Sequence, residues 1–153
     1  MKIMFKLVCV SVVLASYNTF AGEIKLVYDS RYCIHTASGH HNDGDNIHLW
    51  KCNGNSNSQW VWDGSKIRFK GSDKCLSKKG TGSASNGDNI HLWSCARGSS
   101  KNNHWDRIRS NRLKLRGTNY CINKKGSNYP KDGDNIHLWD CNKGDYSNSQ
   151  WYF

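Results

Sequence analysis

Glutamate and proline are almost missing from this chain: Glu23 is the only glutamate and Pro130 the only proline. A glycosidase built on paired carboxylates would therefore need two aspartates, and no such pair stands out. There is no GxSxG or HExxH stretch, which removes two common hydrolase signatures. No CxxC or clustered Cys/His pattern supports a zinc site, and no EF-hand ligand series follows Asp43-Gly44-Asp45-Asn46 or Asp132-Gly133-Asp134-Asn135. An Asn-x-Ser/Thr glycosylation acceptor is also absent. The chain reads as a non-enzyme that needs no cofactor and no metal.

Long apolar runs are equally scarce. The one candidate, Leu7 to Ala15, is interrupted only by Ser11, follows Lys2 and Lys6, and precedes Thr19-Phe20-Ala21. It is shorter than the roughly 20 apolar residues of a membrane helix, so no transmembrane segment is expected. Its basic start and small-residue end read as a secretory signal peptide over residues 1–21. Residues 22–153 then form a single secreted domain. The formal net charge is +10, of which Lys2 and Lys6 contribute only two. Such a charge favours anionic partners, acidic glycans or lipid headgroups before nucleic acid, which is not expected outside the cell.

Repetition is what the chain has in abundance. Gly-Asp-Asn-Ile-His-Leu-Trp occurs three times unchanged, at Gly44–Trp50, Gly87–Trp93 and Gly133–Trp139, each followed by one residue and a cysteine. The matching histidines, His48, His91 and His137, stand 43 and then 46 positions apart, so the chain is a threefold internal repeat. The units are about 22–62, 63–107 and 108–153. Cys33, Cys52, Cys75, Cys95, Cys121 and Cys141 fall at the same two places in each unit. Equivalent units should close equivalent loops, which selects Cys33–Cys52, Cys75–Cys95 and Cys121–Cys141 as disulfides, each able to stabilise by about 3 kcal/mol.

Each unit carries a short alternating run (Ile24–Tyr28, Lys66–Phe69, Arg112–Arg116), a run around its first cysteine, the heptapeptide, and a tryptophan strand (Gln59–Trp62, His104-Trp105, Gln150–Phe153). Linkers of Gly, Ser, Asn, Asp and Lys supply turns. No 3.6-residue period is sustained, so the class is all-β. Three units are too few for a propeller. A closed barrel fits better, its last strand at Trp151-Tyr152-Phe153 pairing with the first.

Cysteine, then Gly-x-x-Ile-x-Leu-Trp-x-Cys, then Asn-x-x-Trp, three times over, resembles the ricin B-chain type of lectin domain. The resemblance spans essentially all of 22–153 and implies a β-trefoil, a six-stranded barrel capped by three hairpins. It also implies that Trp50, Trp93 and Trp139 stack under a sugar, with Asn57, Asn102 and Asn148 contacting a hydroxyl. Several positions depart from the pattern. His48, His91 and His137 replace a glutamine, and His35, Ser77 and Asn123 replace the aspartate that grips two adjacent hydroxyls. Ser58, Asn103 and Ser149 replace the glutamine of a Gln-x-Trp signature.

Strand alternation puts Ile47 and Leu49 on the core face, and His48, Trp50 and Cys52 on the other, and likewise in the second and third units. An outward tryptophan either packs under a loop or offers a stacking platform for a ligand. Asp45, Asp88 and Asp134 could supply the missing carboxylate, or could simply close the turns. Alternatively, the histidines with Lys78-Lys79 and Lys124-Lys125 could accept a sialylated or sulfated sugar. The expected function is a secreted lectin for galactose/GalNAc-type or acidic glycans. Its partners would be cell-surface glycans and, as in ricin-like toxins, a separate catalytic subunit. The rival is a trefoil binding polyanions or a protein through basic residues such as Arg107, Arg109, Arg112, Lys114 and Arg116.

Overall fold

The structure, a computed structural model, describes residues 21–126 and 129–153. The expected leader lies outside them except for Ala21. Thirteen short strands run through the described residues: β1 (Ala21–Gly22), β2 (Lys25–Leu26), β3 (Tyr32–Thr36), β4 (Ile47–Lys51), β5 (Trp60–Asp63), β6 (Lys66–Phe69), β7 (Lys74–Lys78), β8 (Ile90–Ser94), β9 (Trp105–Ile108), β10 (Arg112–Leu115), β11 (Tyr120–Lys124), β12 (Ile136–Asp140) and β13 (Trp151–Tyr152). They form three antiparallel sheets, ordered β1-β5-β6-β7-β8, β12-β11-β10-β9 and β13-β2-β3-β4. The fold is a β-trefoil. It closes as the sequence implies, β13 pairing with β2 through Trp151–Leu26 and Tyr152–Lys25. A further pairing, Ala21–Val61 and Gly22–Trp60, had no signal in the sequence.

The hairpins β3–β4, β7–β8 and β11–β12 share one register, with Cys33, Cys75 and Cys121 opposite Trp50, Trp93 and Trp139. Ile47, Leu49 and their counterparts are fully buried in the common core. Trp60, Trp105 and Trp151 lie in that core, each indole donating to a carbonyl of the first hairpin strand, Ile34, Leu76 and Ile122, at 2.9, 3.0 and 3.0 Å. A buried indole N–H needs such a partner. The three disulfides join the expected pairs, with Cα separations of 5.2, 5.1 and 5.2 Å.

Two features escaped the reading in strands. A one-turn helix α1 (Ser100–Asn103) and 3₁₀ turns at Ser56–Ser58 and Tyr146–Asn148 precede the tryptophan strands. They are too short to show a period, but Ser99, Asn55 and Asp145 each accept an N–H of the turn as an N-cap does.

The second feature is the seam between units. Gly44 N–H donates to Leu92, and Leu92 N–H to Asp45; Gly87 and Asp88 pair likewise with Leu138, and Gly133 and Asp134 with Leu49, all within 2.7–2.9 Å. The asparagine carboxamides close a ring at the threefold axis: Asn46 donates to Asn135 (2.9 Å), Asn135 to Asn89 (2.8 Å), Asn89 to Asn46 (2.7 Å). Gly44, Gly87 and Gly133 sit at φ of +97°, +90° and +88°, where a side chain would be strained. Closure of the trefoil therefore accounts for Gly, Asp, Asn, Ile and Leu of the heptapeptide. It does not account for His and Trp.

A candidate carbohydrate site in each repeat

Those two side chains form the same pair three times. The rings of His48 and Trp50 stack at 5.3 Å, His91 and Trp93 at 5.3 Å, His137 and Trp139 at 5.5 Å. Trp50 and Trp93 are 38% and 36% exposed, while His91 and His137 are only 7% and 5% exposed. Alternation alone had sent histidine and tryptophan outward together. The structure instead buries the histidine in the second and third repeats and half-buries His48 in the first, with His35, Ser77 or Asn123 opposite it across the hairpin. The histidine is thus a support for the indole. Asn123 Oδ1 lies 3.2 Å from His137 Nε2. His48 Nε2 and His91 Nδ1 are buried without a hydrogen-bond partner among the described residues.

Beside two of these indoles the surface is concave. The third-repeat pocket, about 230 Å³, is lined by Asn123, Gly126, His137, Trp139, Gly144, Asp145 and Asn148. The second-repeat pocket is about 500 Å³, with His91 and Trp93 facing Lys79, Arg97 and Asn102. An aromatic face with a few convergent polar groups in a shallow pocket suits a small polar ligand with an apolar side.

A family model, the ricin-type beta-trefoil lectin domain, matches residues 20–151. This chain belongs to the ricin-type β-trefoil lectins. No curated protein matches its sequence. Among solved structures it is similar to an agglutinin from Abrus precatorius (20% identity, TM-score 0.72, covering 93% of this chain and 51% of that one). It therefore spans about half that agglutinin's length. It also resembles the β-trefoil lectin of the Vibrio vulnificus hemolysin/cytolysin with N-acetyl-D-lactosamine bound (17%, 0.69, 88% and 93%). The designed threefold protein ThreeFoil is similar too (18%, 0.71, 86% and 95%).

The other positions the lectin resemblance singled out divide into two groups. Asn102 and Asn148 lie at the pocket edges, their amides donating to Gly80 and Gly126 carbonyls at 2.7 Å, and so tie the capped turn to the loop after the first hairpin strand. Asn57 instead meets His41 Nε2 at 3.2 Å. The aspartates lie outside both pocket linings. Asp45 accepts the Asn42 N–H and the Ser38 hydroxyl, Asp88 the Ser85 N–H and hydroxyl, Asp134 the Lys131 N–H, so each closes the turn that starts its strand. Lys78 and Lys124, expected on the rim, are buried at 3% and 1% exposure. Their ammonium groups donate to Lys79, Gly80, Lys125 and Gly126 carbonyls and approach Asp88 and Asp134 at 3.9 and 3.8 Å. Only Lys79 and Lys125 stay outside.

Sequence reasoning missed Asp145, which lines the third-repeat pocket while its carboxylate caps the 3₁₀ turn. Its hydrogen bonds to Ser147 hold it below the ordinary carboxylate value. The cap pattern Asp145-Tyr146-Ser147 was the available signal. Gly144 was missed as well: a Cβ there would come within 3.0 Å of the Trp139 indole nitrogen. The first repeat differs. His35 stacks on His48 at 5.5 Å and lies 6.2 Å from Trp50, crowding the place that Ser77 leaves open.

Among the described residues, the one group of His, Cys, Asp and Glu atoms close enough to share an ion is Glu23 with Cys33 and Cys52, whose sulfurs are bonded to each other. No helix among the described residues is long and apolar enough to cross a membrane. Three of the four arginines of the alternating run are engaged: Arg107 lies over Trp62 and Phe153 (5.0 and 4.9 Å), Arg112 over Tyr146 (5.3 Å), and Arg116 bonds Asp106 (2.7 Å).

Burial lowers the pKa of His48, His91 and His137 below the ordinary 6.5, helped by His35 for His48, Lys79 for His91 and Lys125 for His137. Below pH 6.5 the unfolded chain takes up protons that the folded one resists, so stability falls with acidification through that value, and levels off only below the folded pKa. Thermal unfolding between pH 8 and pH 4 should show the loss beginning near 6.5. His91→Gln should flatten part of it, and His104, whose pKa burial also lowers, adds to the remainder.

Proposed function

We propose that this chain is a secreted, non-enzymatic lectin that binds glycans at the indole faces of Trp50, Trp93 and Trp139. The observation that carries the reading is the histidine–tryptophan stack repeated in all three units, with Trp50 and Trp93 exposed and Trp139 half-buried at a pocket. It is the part of the heptapeptide that closure of the fold does not require. Hydroxyls of the sugar would meet Asn102 and Asn148, and the ring C–H face the indole.

The pockets differ in charge, and with it in the sugar each suits. The third-repeat pocket offers the Asp145 carboxylate, a charge-assisted acceptor for hydroxyls, and favours a neutral galactose/GalNAc-type sugar. The second has no carboxylate in its lining; Arg97 there is paired with Asp43 at 2.7 Å, and the exposed Lys79 favours an acidic sugar. Several weak sites on one rigid body would gain avidity on a dense glycan surface. Two similar structures are named as a hemolysin/cytolysin trefoil and the hemolytic lectin CEL-III. The proposal that this chain serves as the cell-binding subunit of a toxin rests on that likeness.

A glycan array comparing the wild type with the triple variant Trp50→Ala, Trp93→Ala, Trp139→Ala tests the reading. The wild type should bind a defined set of glycans and the variant none of them. Unchanged binding by the variant would remove the pockets from the account. Repeating the array at low and moderate ionic strength separates the rival: charge-driven polyanion binding collapses with salt, and stacking on indole survives it.

A further inference from the structure

Between the second and third repeats the surface opens into a groove of about 880 Å³, larger than either pocket. Thr81 and Ser83 form one wall, Arg116 and Thr118 the other, and Lys101 of α1 overlooks it. It shares Lys78, Thr81, Ser99 and Asn102 with the Trp93 pocket, so the two make one continuous trough.

The other two junctions of the trefoil show that this opening is particular to its place. Counting from the first cysteines, Ser83 corresponds to Tyr129 in the third repeat, and Arg116 to Tyr28 in the first. Those two tyrosines meet across the junction of repeats three and one, their ring centroids 6.1 Å apart. At the junction of repeats one and two, Lys74 pairs with Asp43 at 3.0 Å and His41 stacks on Phe69 at 4.1 Å. The remaining junction has a small hydroxyl and a cation where the tyrosines stand. Lys101 is exposed, and its ammonium makes no ion pair or hydrogen bond among the described residues. A volume of this size lies within the roughly 300–1,000 Å³ of sites that hold small molecules, and its lining of hydroxyls, amides and cations, with the one carboxylate of Asp140, suits a sugar chain.

We propose that this groove is an extension subsite: an oligosaccharide seats one unit on Trp93, its further units run between the repeats, and a carboxylate or sulfate on it meets Lys101. The inference rests on the reading of Trp93 as a sugar platform. It adds selection for chain length and charge that the pocket alone lacks.

The test uses the Trp50→Ala, Trp139→Ala protein, so that the second repeat is read alone. Four probes are titrated: N-acetyllactosamine, its tetrasaccharide, and that tetrasaccharide ended by a carboxylated or by a sulfated sugar. Ser83→Tyr, which restores the residue type of the closed junction, should leave the disaccharide within about twofold and weaken every tetrasaccharide about tenfold. Lys101→Glu should weaken only the two acidic probes, and the more weakened of them names the anion. Ser83 and Lys101 are both exposed, so melting temperatures should match the parent. Equal tetrasaccharide binding by parent and Ser83→Tyr overturns the groove and leaves the pocket standing. If adding Trp93→Ala leaves disaccharide binding intact, or if the parent binds none of the four, the sugar reading falls and the groove with it.

Discussion

Replacing Trp105 by alanine is expected to cost the fold about 3–5 kcal/mol, whereas Trp93→Ala should leave the fold standing and empty the second-repeat pocket. The two tryptophans are twelve residues apart in sequence and have opposite jobs. Trp105 has no exposed surface, and its indole satisfies the Leu76 carbonyl. Truncation therefore opens a cavity and leaves a buried acceptor unpaired. Whole domains have only about 5–15 kcal/mol to lose, so this change removes a large part of the stability. Trp93, more than a third exposed, rests on His91 by one face and turns the other outward. Its loss should cost sugar affinity as a hot-spot residue does, about 2 kcal/mol or roughly 30-fold. Denaturant unfolding and sugar titration on the same two variants check both halves. If the two changes affect stability alike, the division into core and platform tryptophans is wrong.

Asn89→Ala should be the most damaging change among residues that are only partly buried. Asn89 gives a hydrogen bond to Asn46 and takes one from Asn135. Alanine leaves one acceptor and one donor unpaired at the axis, about 1–3 kcal/mol each, with the exposed part of the ring moderating the sum to roughly 2–4 kcal/mol. The three repeats meet there, so the loss should appear as a single cooperative transition at lower denaturant, without early melting of one repeat. A change below about 0.5 kcal/mol, the usual size for surface sites, would show that the backbone bonds of the seam suffice alone.

The fold was legible because its signals are periodic. Ile47 and Leu49 alternate with polar neighbours, cysteines recur at one spacing, and the terminal Trp151-Tyr152 strand implied closure. The site was less legible, for a physical reason. Alternation tells which face of a strand a side chain leaves from, but not what later covers that face. His91 leaves from the face opposite the core and is still buried, with Ser77 of β7 opposite it across the hairpin. The same limit applies to Lys78 and Lys124, whose ammonium groups turn inward to loop carbonyls. Asp45, Asp88 and Asp134 look like candidate sugar ligands in a line of sequence, and the turn geometry that engages them depends on φ angles the sequence only hints at through glycine. Asp145 and Trp139 come to one pocket only through the fold: the cap pattern Asp145-Tyr146-Ser147 signals a turn and not its neighbour.

The most direct measurement is an NMR titration of the wild type with array-selected glycans, following the indole N–H resonances. Seven tryptophans give seven reporters. The account predicts that the indoles of Trp50, Trp93 and Trp139 shift with the glycan. Those of Trp60, Trp105 and Trp151, hydrogen-bonded inside the core, should stay fixed. Saturable glycan binding that moves none of the heptapeptide indoles would contradict it.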